Sequence, residues 1–317
     1  MAAPGTHMLS KDQVLFFCVG AQKSGTTWLY EYLRAHPQVA PVPLKEFHYF
    51  ENLYPSRLIP RAAQRFALAV PKAVRKFRAD AILAHKLQPY GRKSWWRAIA
   101  DAFSGRADYD AVLLSGVEAS HVAVGDITPT YATLVSDAYA DMAGRHGEVR
   151  FIFLMRDPLD RLWSQVRMDA GRREARGLGG FDALRSGIAT RVLSDRRYLS
   201  RADYAGTLET LDATIDAEHR LVLFYEELFT EESIRRICTF LGHDYVPADF
   251  DARVHESKPS DIPADWAGQA MGVLARAYDA VARRFPTAMP RQWRGSLEAF
   301  APGAPALAQL NGGHDGR

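Results

Sequence analysis

Cysteine is nearly missing from this chain, with only Cys18 and Cys238 in 317 residues. No C-x-x-C spacing occurs, which excludes thiolate zinc sites and disulfide-stapled scaffolds and points to a reducing compartment. No run of 18 apolar residues is present, so no transmembrane helix is expected. The first thirteen residues, Met1 to Gln13, lack an apolar core, so a secretory leader is not expected and a cytoplasmic location is. Acidic residues are scarce in one window: 52–100 carries eleven Lys/Arg against the single acid Asp80. Over the whole chain, 40 Lys+Arg against 37 Asp+Glu leave a net charge of +3, too small a surplus to argue for nucleic acid. Apolar residues, by contrast, make up 47% of the chain. That is ample for one large α/β domain, expected over 11–300, with disordered tails at 1–10 and 301–317.

Val14 to Val19 reads as a buried strand of a parallel sheet. The run breaks at Gly20, turns through Lys23, Ser24 and Gly25, and enters a helical pattern with Trp28, Leu29, Tyr32 and Leu33. A strand, a small-residue turn and a helix N-terminus make an anion cradle of backbone N–H groups and dipole. Lys23 adds a full charge, and Thr26 and Thr27 add hydroxyl donors, so phosphate or sulfate is the expected ligand. A nucleoside-triphosphate loop places its lysine after the second glycine, as G-x-x-x-x-G-K-[ST]. Here the lysine precedes the glycine, as K-S-G-T-T, and no acidic strand end stands ready to hold magnesium. The stretch resembles the 5′-phosphosulfate loop of sulfotransferases that use 3′-phosphoadenosine 5′-phosphosulfate (PAPS), with Gln22, Lys23, Ser24, Gly25, Thr26 and Thr27 as donor contacts.

A second buried run, Val149 to Met155, ends in Arg156-Asp157-Pro158 and leads into a helix carrying Arg161 and Ser164. Arg156 and Ser164 can converge on one anion, the guanidinium with charge-assisted bonds and the hydroxyl with a directional one. In the sulfotransferase family a similar R-D-P, with a serine eight residues after the arginine, holds the donor's 3′-phosphate. The resemblance spans Val14 to Pro259. It implies a three-layer α/β sandwich, a P-loop-like sulfotransferase fold with helices on both faces of a central parallel sheet. The expected strands lie near 14–19, 121–124, 149–155 and 221–225. It also implies PAPS as donor, 3′-phosphoadenosine 5′-phosphate (PAP) as product, and no metal.

Between the two segments, His36-Pro37-Gln38-Val39 precedes Lys45-Glu46-Phe47-His48. This is similar to the branch that includes bacterial and heparan-type enzymes, where a glutamate soon after an H-P-x-V turn removes the acceptor proton. The resemblance assigns that role to Glu46. Sulfuryl transfer to a hydroxyl needs such a base, and it needs positive charge on the leaving phosphate, here Lys23 with Lys45 in support. An isolated Lys45–Glu46 pair would read as a surface ion pair. His48 is a rival base with the better unperturbed pKa; in a strand-like stretch it would share a face with Glu46 and orient it instead. His85 and His121 read as ordinary histidines.

Gly125-Asp126-Ile127-Thr128-Pro129-Thr130-Tyr131 is similar to a stretch lining the family's acceptor cleft, which implies Asp126, Thr128 and Tyr131 as acceptor contacts; the other reading is a strand end and a helix cap. Trp28 resembles an adenine-stacking aromatic or else belongs to the core. Tyr204 and Lys258 match donor-side positions, although Ser260 stands where relatives carry an arginine. Asp169 to Gly180, with four glycines, reads as a mobile loop. The basic stretch 52–100 reads as a solvated face, or as the receiver of an anionic acceptor or a peripheral membrane surface. The acceptor itself stays open among carbohydrate, lipid and small molecule. A nucleotide kinase and a catalytically silent nucleotide-binding module are the alternatives.

Overall fold

The computed structural model describes residues 9–40, 45–56, 109–251, 258 and 260–301. The expected tails, except for residues 9, 10 and 301, lie outside the described residues. So do His85 and the basic stretch beyond residue 56. Among the described residues four strands form one parallel sheet: β1 (Val14–Gly20), β2 (Ala123–Ile127), β3 (Val149–Met155) and β4 (Arg220–Phe224), in the order β2-β1-β3-β4. The helices, in chain order, are α1 (Thr26–Ala35), α2 (Phe50–Leu53), α3 (Tyr109–Leu113), α4 (Ser136–Ala143), α5 (Pro158–Glu174), α6 (Phe181–Val192), α7 (Arg196–Leu199), α8 (Tyr204–Thr214), α9 (Tyr225–Leu228), α10 (Glu231–Leu241), α11 (Ala264–Arg284) and α12 (Arg291–Phe300).

The strands are apolar on both faces because both faces are covered, as a parallel sheet requires. Leu15, Phe17 and Val19 alternate with Val14, Phe16 and Cys18. The first set packs with Phe151 and Phe153 of β3 against α4, α5, α8 and α11. The second packs with Ile152 and Leu154 against α1 and α10, through Trp28, Leu29, Leu33, Ile234, Ile237 and Leu241. Helix α10 ends as its sequence dictates: Gly242 adopts φ 82°, and its N–H bonds back to Cys238 and Thr239.

Two expectations change. β2 lies at Ala123–Ile127 and runs past the expected 121–124, because Phe16 to Cys18 of β1 stay in register with Gly125 to Ile127. A Cβ on Gly125 would meet Phe16 O at 2.4 Å, so this glycine serves close strand approach and not a turn. Asp169 to Glu174 is helical, the end of the 17-residue α5, and only the residues beyond it form a loop.

The topology fixes where a ligand goes. From β1 the chain crosses to β2 on one side and returns to β3 on the other, so the crevice outside the carboxyl ends of β1 and β3 is the switch point of the sheet.

Candidate active site

The turn after β1 is shaped by its backbone. Lys23 and Gly25 both sit in the left-handed region, at φ 72° and 84°, and Ser24 N–H donates to Ala21 C=O at 3.2 Å. A Cβ on Gly25 would lie 2.7 Å from Leu228 Cδ2, so α9 packs too tightly here for a larger residue. No side chain caps α1, and its first turn carries no acid. Its leading N–H groups and the positive end of its dipole are therefore open to an anion. Ser24 and Thr26 are buried, Gln22 and Thr27 half-buried. Gln22 Oε1 is a buried acceptor with no hydrogen-bond partner among the described residues.

Arg156 follows β3 directly, one strand over. Its Nη1 donates to Lys23 C=O at 3.5 Å, and its guanidinium lies 4.6 Å over the Tyr225 ring. An acid is near only at 3.8 Å, through Asp160, and the buried Nε has no hydrogen-bond partner among the described residues. The next residue, Asp157, caps α5 by accepting from Leu159 and Asp160 N–H at 2.9 and 3.2 Å. Helix α5 then carries Ser164, which is buried, and Arg167 and Arg172, which reach the field of Lys23. Burial first, and then Arg156, Arg172 and Arg167, push the Lys23 ammonium down to about 8. Lys23 and Arg156 flank one uncapped helix start, with Arg167 and Arg172 of α5 adding to the positive field and Asp169 opposing it, and these residues fit a ligand of more than one negative charge.

Across the crevice, residues 45–51 build the opposite kind of site. Glu46 and His48 have φ 67° and 55°, a conformation that costs non-glycine residues roughly 1–2 kcal/mol each. Phe47 between them is buried and meets Tyr109 edge-on at 5.6 Å. The expected strand-like stretch is thus a pair of left-handed residues around an anchored ring. They still bring the two side chains together, with His48 Nε2 3.5 Å from Glu46 Oε2. The other Glu46 oxygen pairs with Lys45, and His48 Nδ1 pairs with Glu51 and lies 3.2 Å from Thr130 Oγ1. Burial alone would raise the Glu46 carboxyl, but His48 and Lys45 override it and hold it at about 2. Burial would lower His48, and the two carboxylates override that in turn, lifting it to about 10. The site therefore rests as carboxylate and imidazolium.

A family model described as "Sulfotransferase family" matches residues 16–247. The chain belongs to the sulfotransferase family. A sulfotransferase from Alicyclobacillus acidocaldarius has a similar fold, with TM-score 0.54 and 18% identity over 90% of this chain and 100% of that one. Two further matches are sulfotransferase domains. One is from the Synechococcus PCC 7002 olefin synthase, at TM-score 0.45 and 15% identity over 95% of this chain and 98% of that one. The other is from the curacin biosynthetic pathway, at TM-score 0.38 and 15% identity over 95% of each chain. No curated protein matches the chain significantly. Among the described residues no cluster of His, Cys, Asp or Glu could hold a metal, and no helix is long and apolar enough to cross a membrane.

Within this sulfotransferase several sequence-derived site residues occupy places of a different kind. The indole of Trp28 is a core group, stacked near Tyr32 and Phe250 at 5.9 and 6.1 Å with its N–H donated to Asp249 C=O. The indole is buried, and its backbone N–H lies in the first turn of α1. Tyr204 is buried and braces Arg156, donating to its C=O at 2.7 Å and accepting from its N–H at 3.3 Å. Lys258 is turned to α5 and α6, paired with Glu174 at 2.7 Å and 5.2 Å over the Phe181 ring; His255 to Ser257 and Pro259 lie outside the described residues. His121 sits before β2, at the amino edge of the sheet, where its Nδ1 accepts from Glu118 N–H. That edge is opposite the crevice, which removes it as a base. Asp126, Thr128 and Tyr131 are fully buried and bonded to one another, one layer behind Glu46 and His48.

Several residues escaped the sequence reading. Arg167 was detectable, since it lies one helical turn beyond Ser164. Glu51 was detectable at i+3 from His48 once α2 was recognised. Thr130, Tyr109 and Tyr225 reach the site through tertiary packing, with no local signal. Arg201 likewise comes from the turn Ser200–Ala202, where burial lowers it against the raising fields of Glu51 and Asp169.

Proposed function

We propose that this sulfotransferase transfers a sulfuryl group from PAPS to a hydroxyl, or an amine, of a carbohydrate, lipid or small-molecule acceptor. The observation that carries this reading is the uncapped start of α1 beside Lys23 and Arg156, in the field of Arg167 and Arg172, at the switch point of the sheet. In this reading Lys23, Ser24, Thr26, Thr27 and the backbone at Gly25 and Trp28 hold the phosphosulfate, with Gln22 beside them. Arg156 and Ser164 take the 3′-phosphate, the group that tells PAPS from ATP. The orphaned Gln22 Oε1 and Arg156 Nε support a polar ligand at both ends of this arc.

PAPS supplies an activated sulfuryl group on a good leaving phosphate. The acceptor oxygen forms the new S–O bond as the bond to the 5′-phosphate breaks, its electron pair leaving with PAP. Glu46 receives the acceptor proton, and Lys23 balances the charge growing on the phosphate. Lys45 neutralises Glu46 in the resting site. When it turns to the sulfonate, Glu46 loses one counter-charge and its basicity rises toward what proton abstraction needs. His48, held by Glu51, orients Glu46 and is not itself the base, because an imidazolium has no proton site left to fill. The acceptor would enter beside residues 45–51. The pair of free, buried thiols supports a reducing, cytoplasmic setting, and residues 11–300 are read as one domain.

The test is a thermal-shift titration of the full chain with PAP, ADP and ATP in the presence of EDTA. A ligand at about a hundred times its Kd adds roughly 2.7 kcal/mol, so PAP is expected to raise Tm clearly and ADP and ATP little. Stabilisation by ATP only, once magnesium is restored, would overturn the reading in favour of a nucleotide kinase.

A further inference from the structure

Behind the crevice Asp126, near the end of β2, is wholly inaccessible to solvent. A buried charge is costly unless hydrogen bonds replace its water. Asp126 is given three hydroxyl donors: Thr128 to Oδ1 at 2.6 Å, and Tyr131 and Tyr109 to Oδ2 at 2.8 and 2.9 Å. Apolar residues could fill the same space at less cost, so the arrangement asks for a purpose.

The purpose is legible in the direction of the bonds. A phenol has one proton, and Tyr131 commits its own to Asp126. Its oxygen can then only accept, and it accepts from the backbone N–H of Tyr49 at 3.0 Å. Tyr49 is the residue after His48, at the exit of the left-handed pair Glu46 and His48. Nothing regular holds this segment: it belongs to no strand, and the 4-residue α2 begins only at Phe50. Thr130, one residue before Tyr131, reaches His48 itself.

We propose that Asp126 is a positioning residue, which orients the Tyr131 hydroxyl so that it grips the Tyr49 N–H and thereby holds Glu46 against His48. The proposal rests on the reading of Glu46 as the base. It recasts Asp126, Thr128 and Tyr131, which resemblance alone would set against the acceptor, as the support of the proton-accepting group. A second support flanks the same segment: Arg145 bonds Asp141 and Asp110 and lies 5.5, 5.1 and 5.4 Å from the rings of Tyr49, Phe50 and Tyr109. The experiment must separate the two.

Tyr131→Phe and Tyr109→Phe provide that separation. Each removes one hydroxyl from the same Asp126 oxygen and keeps its ring, but only Tyr131 touches the Tyr49 N–H. The readout is the NMR titration of the His48 imidazole in the full chain, which needs neither donor nor acceptor. The charged groups that set it are Glu46, Glu51, Lys45 beyond Glu46, Arg201 beyond Glu51, and Asp126 itself. In the wild type His48 is expected to titrate well above the ordinary histidine range, because Glu46 and Glu51 hold its proton. With Tyr131→Phe or Asp126→Asn the pairing with Glu46 loosens, and the titration falls toward the ordinary histidine value of about 6.5. With Tyr109→Phe it stays near the wild-type value. An unmoved titration in Tyr131→Phe, or an equal fall in Tyr109→Phe, overturns the proposal. Should the variants not fold, hydrogen exchange of the wild-type Tyr49 amide decides: protection is expected, and exchange at the rate of an open amide refutes the grip. Retained turnover in Glu46→Gln would instead remove the base assignment and leave the His48 result standing.

Discussion

The two walls of the crevice handle charge in opposite ways. On the wall formed by the β1 turn and α5, the field of Arg156, Arg172 and Arg167 adds to burial in pushing Lys23 down to about 8, with Asp169 opposing. On the wall formed by residues 45–51, every charge already has a counter-charge: Glu46 with Lys45 and His48, and His48 with Glu51. In the proposed reading the first wall is an electrostatic site that a polyanion would complete, and the second, complete at rest, would have to open before it acts. That reading separates binding from chemistry in space and predicts that substitutions on one wall spare the function of the other.

The largest test of that separation is Glu46→Gln, expected to lower PAP release from PAPS by about 10²–10⁴-fold while the thermal shift with PAP stays at its wild-type size. Loss of the PAP shift in this variant would mean that the walls are not separate. Arg156→Ala attacks the other wall. Loss of a charge-assisted contact of about 1.5–3 kcal/mol should weaken PAP by roughly 10–100-fold, and leave adenosine 5′-phosphosulfate, which lacks the 3′-phosphate, nearly unaffected. Equal weakening of both ligands would place Arg156 elsewhere than on the 3′-phosphate.

Two pH effects of opposite sign sharpen the contrast. Lys23 is charged below about 8, so PAP affinity should fall as pH rises through 8, by up to about tenfold per pH unit; a flat profile to pH 9 would show that Lys23 contributes no charge to binding. On the base wall Lys45→Ala removes one of the groups that depress Glu46. The Glu46 carboxylate is then lost at higher pH on acidification, and the acid limb of turnover should move upward, with the alkaline fall in PAP affinity unchanged. The smallest effect is expected for Tyr204→Phe, which removes the 2.7 Å bond to Arg156 C=O. A net contribution of about 1 kcal/mol corresponds to a several-fold weaker PAP affinity; a loss as large as that of Arg156→Ala would make Tyr204 a direct ligand contact.

The same contrast explains which parts of the molecule could be read from its residues. Strand, turn and helix start at Val14 to Leu33 are contiguous, and an anion site made of backbone N–H groups needs only local geometry. The apolar run, the small-residue turn and the helix start were therefore legible as a candidate anion site, and Arg156-Asp157-Pro158 as its candidate partner on the adjacent strand. The runs Val14 to Val19 and Val149 to Met155 were legible as buried strands for the same reason. Trp28 was ambiguous because an aromatic at helical spacing serves a core and a ligand equally well. Only the packing of Tyr32 and Phe250 over its faces decided between them.

The base wall followed different physics. Lys45, Glu46 and His48 were visible as residue types. Their protonation states were not, because those depend on a 3.5 Å approach made by two left-handed residues and on burial supplied from α3 and the turn Pro129–Thr133. Asp126 looked like a strand end facing the crevice. Its burial, its three hydroxyl donors and its link through Tyr131 to Tyr49 arise from residues 17, 5 and 82 positions apart in the chain. Local backbone geometry wrote the anion site into the order of the amino acids, whereas the charge state and support of Glu46 came into being only when distant segments closed around it and shut out water.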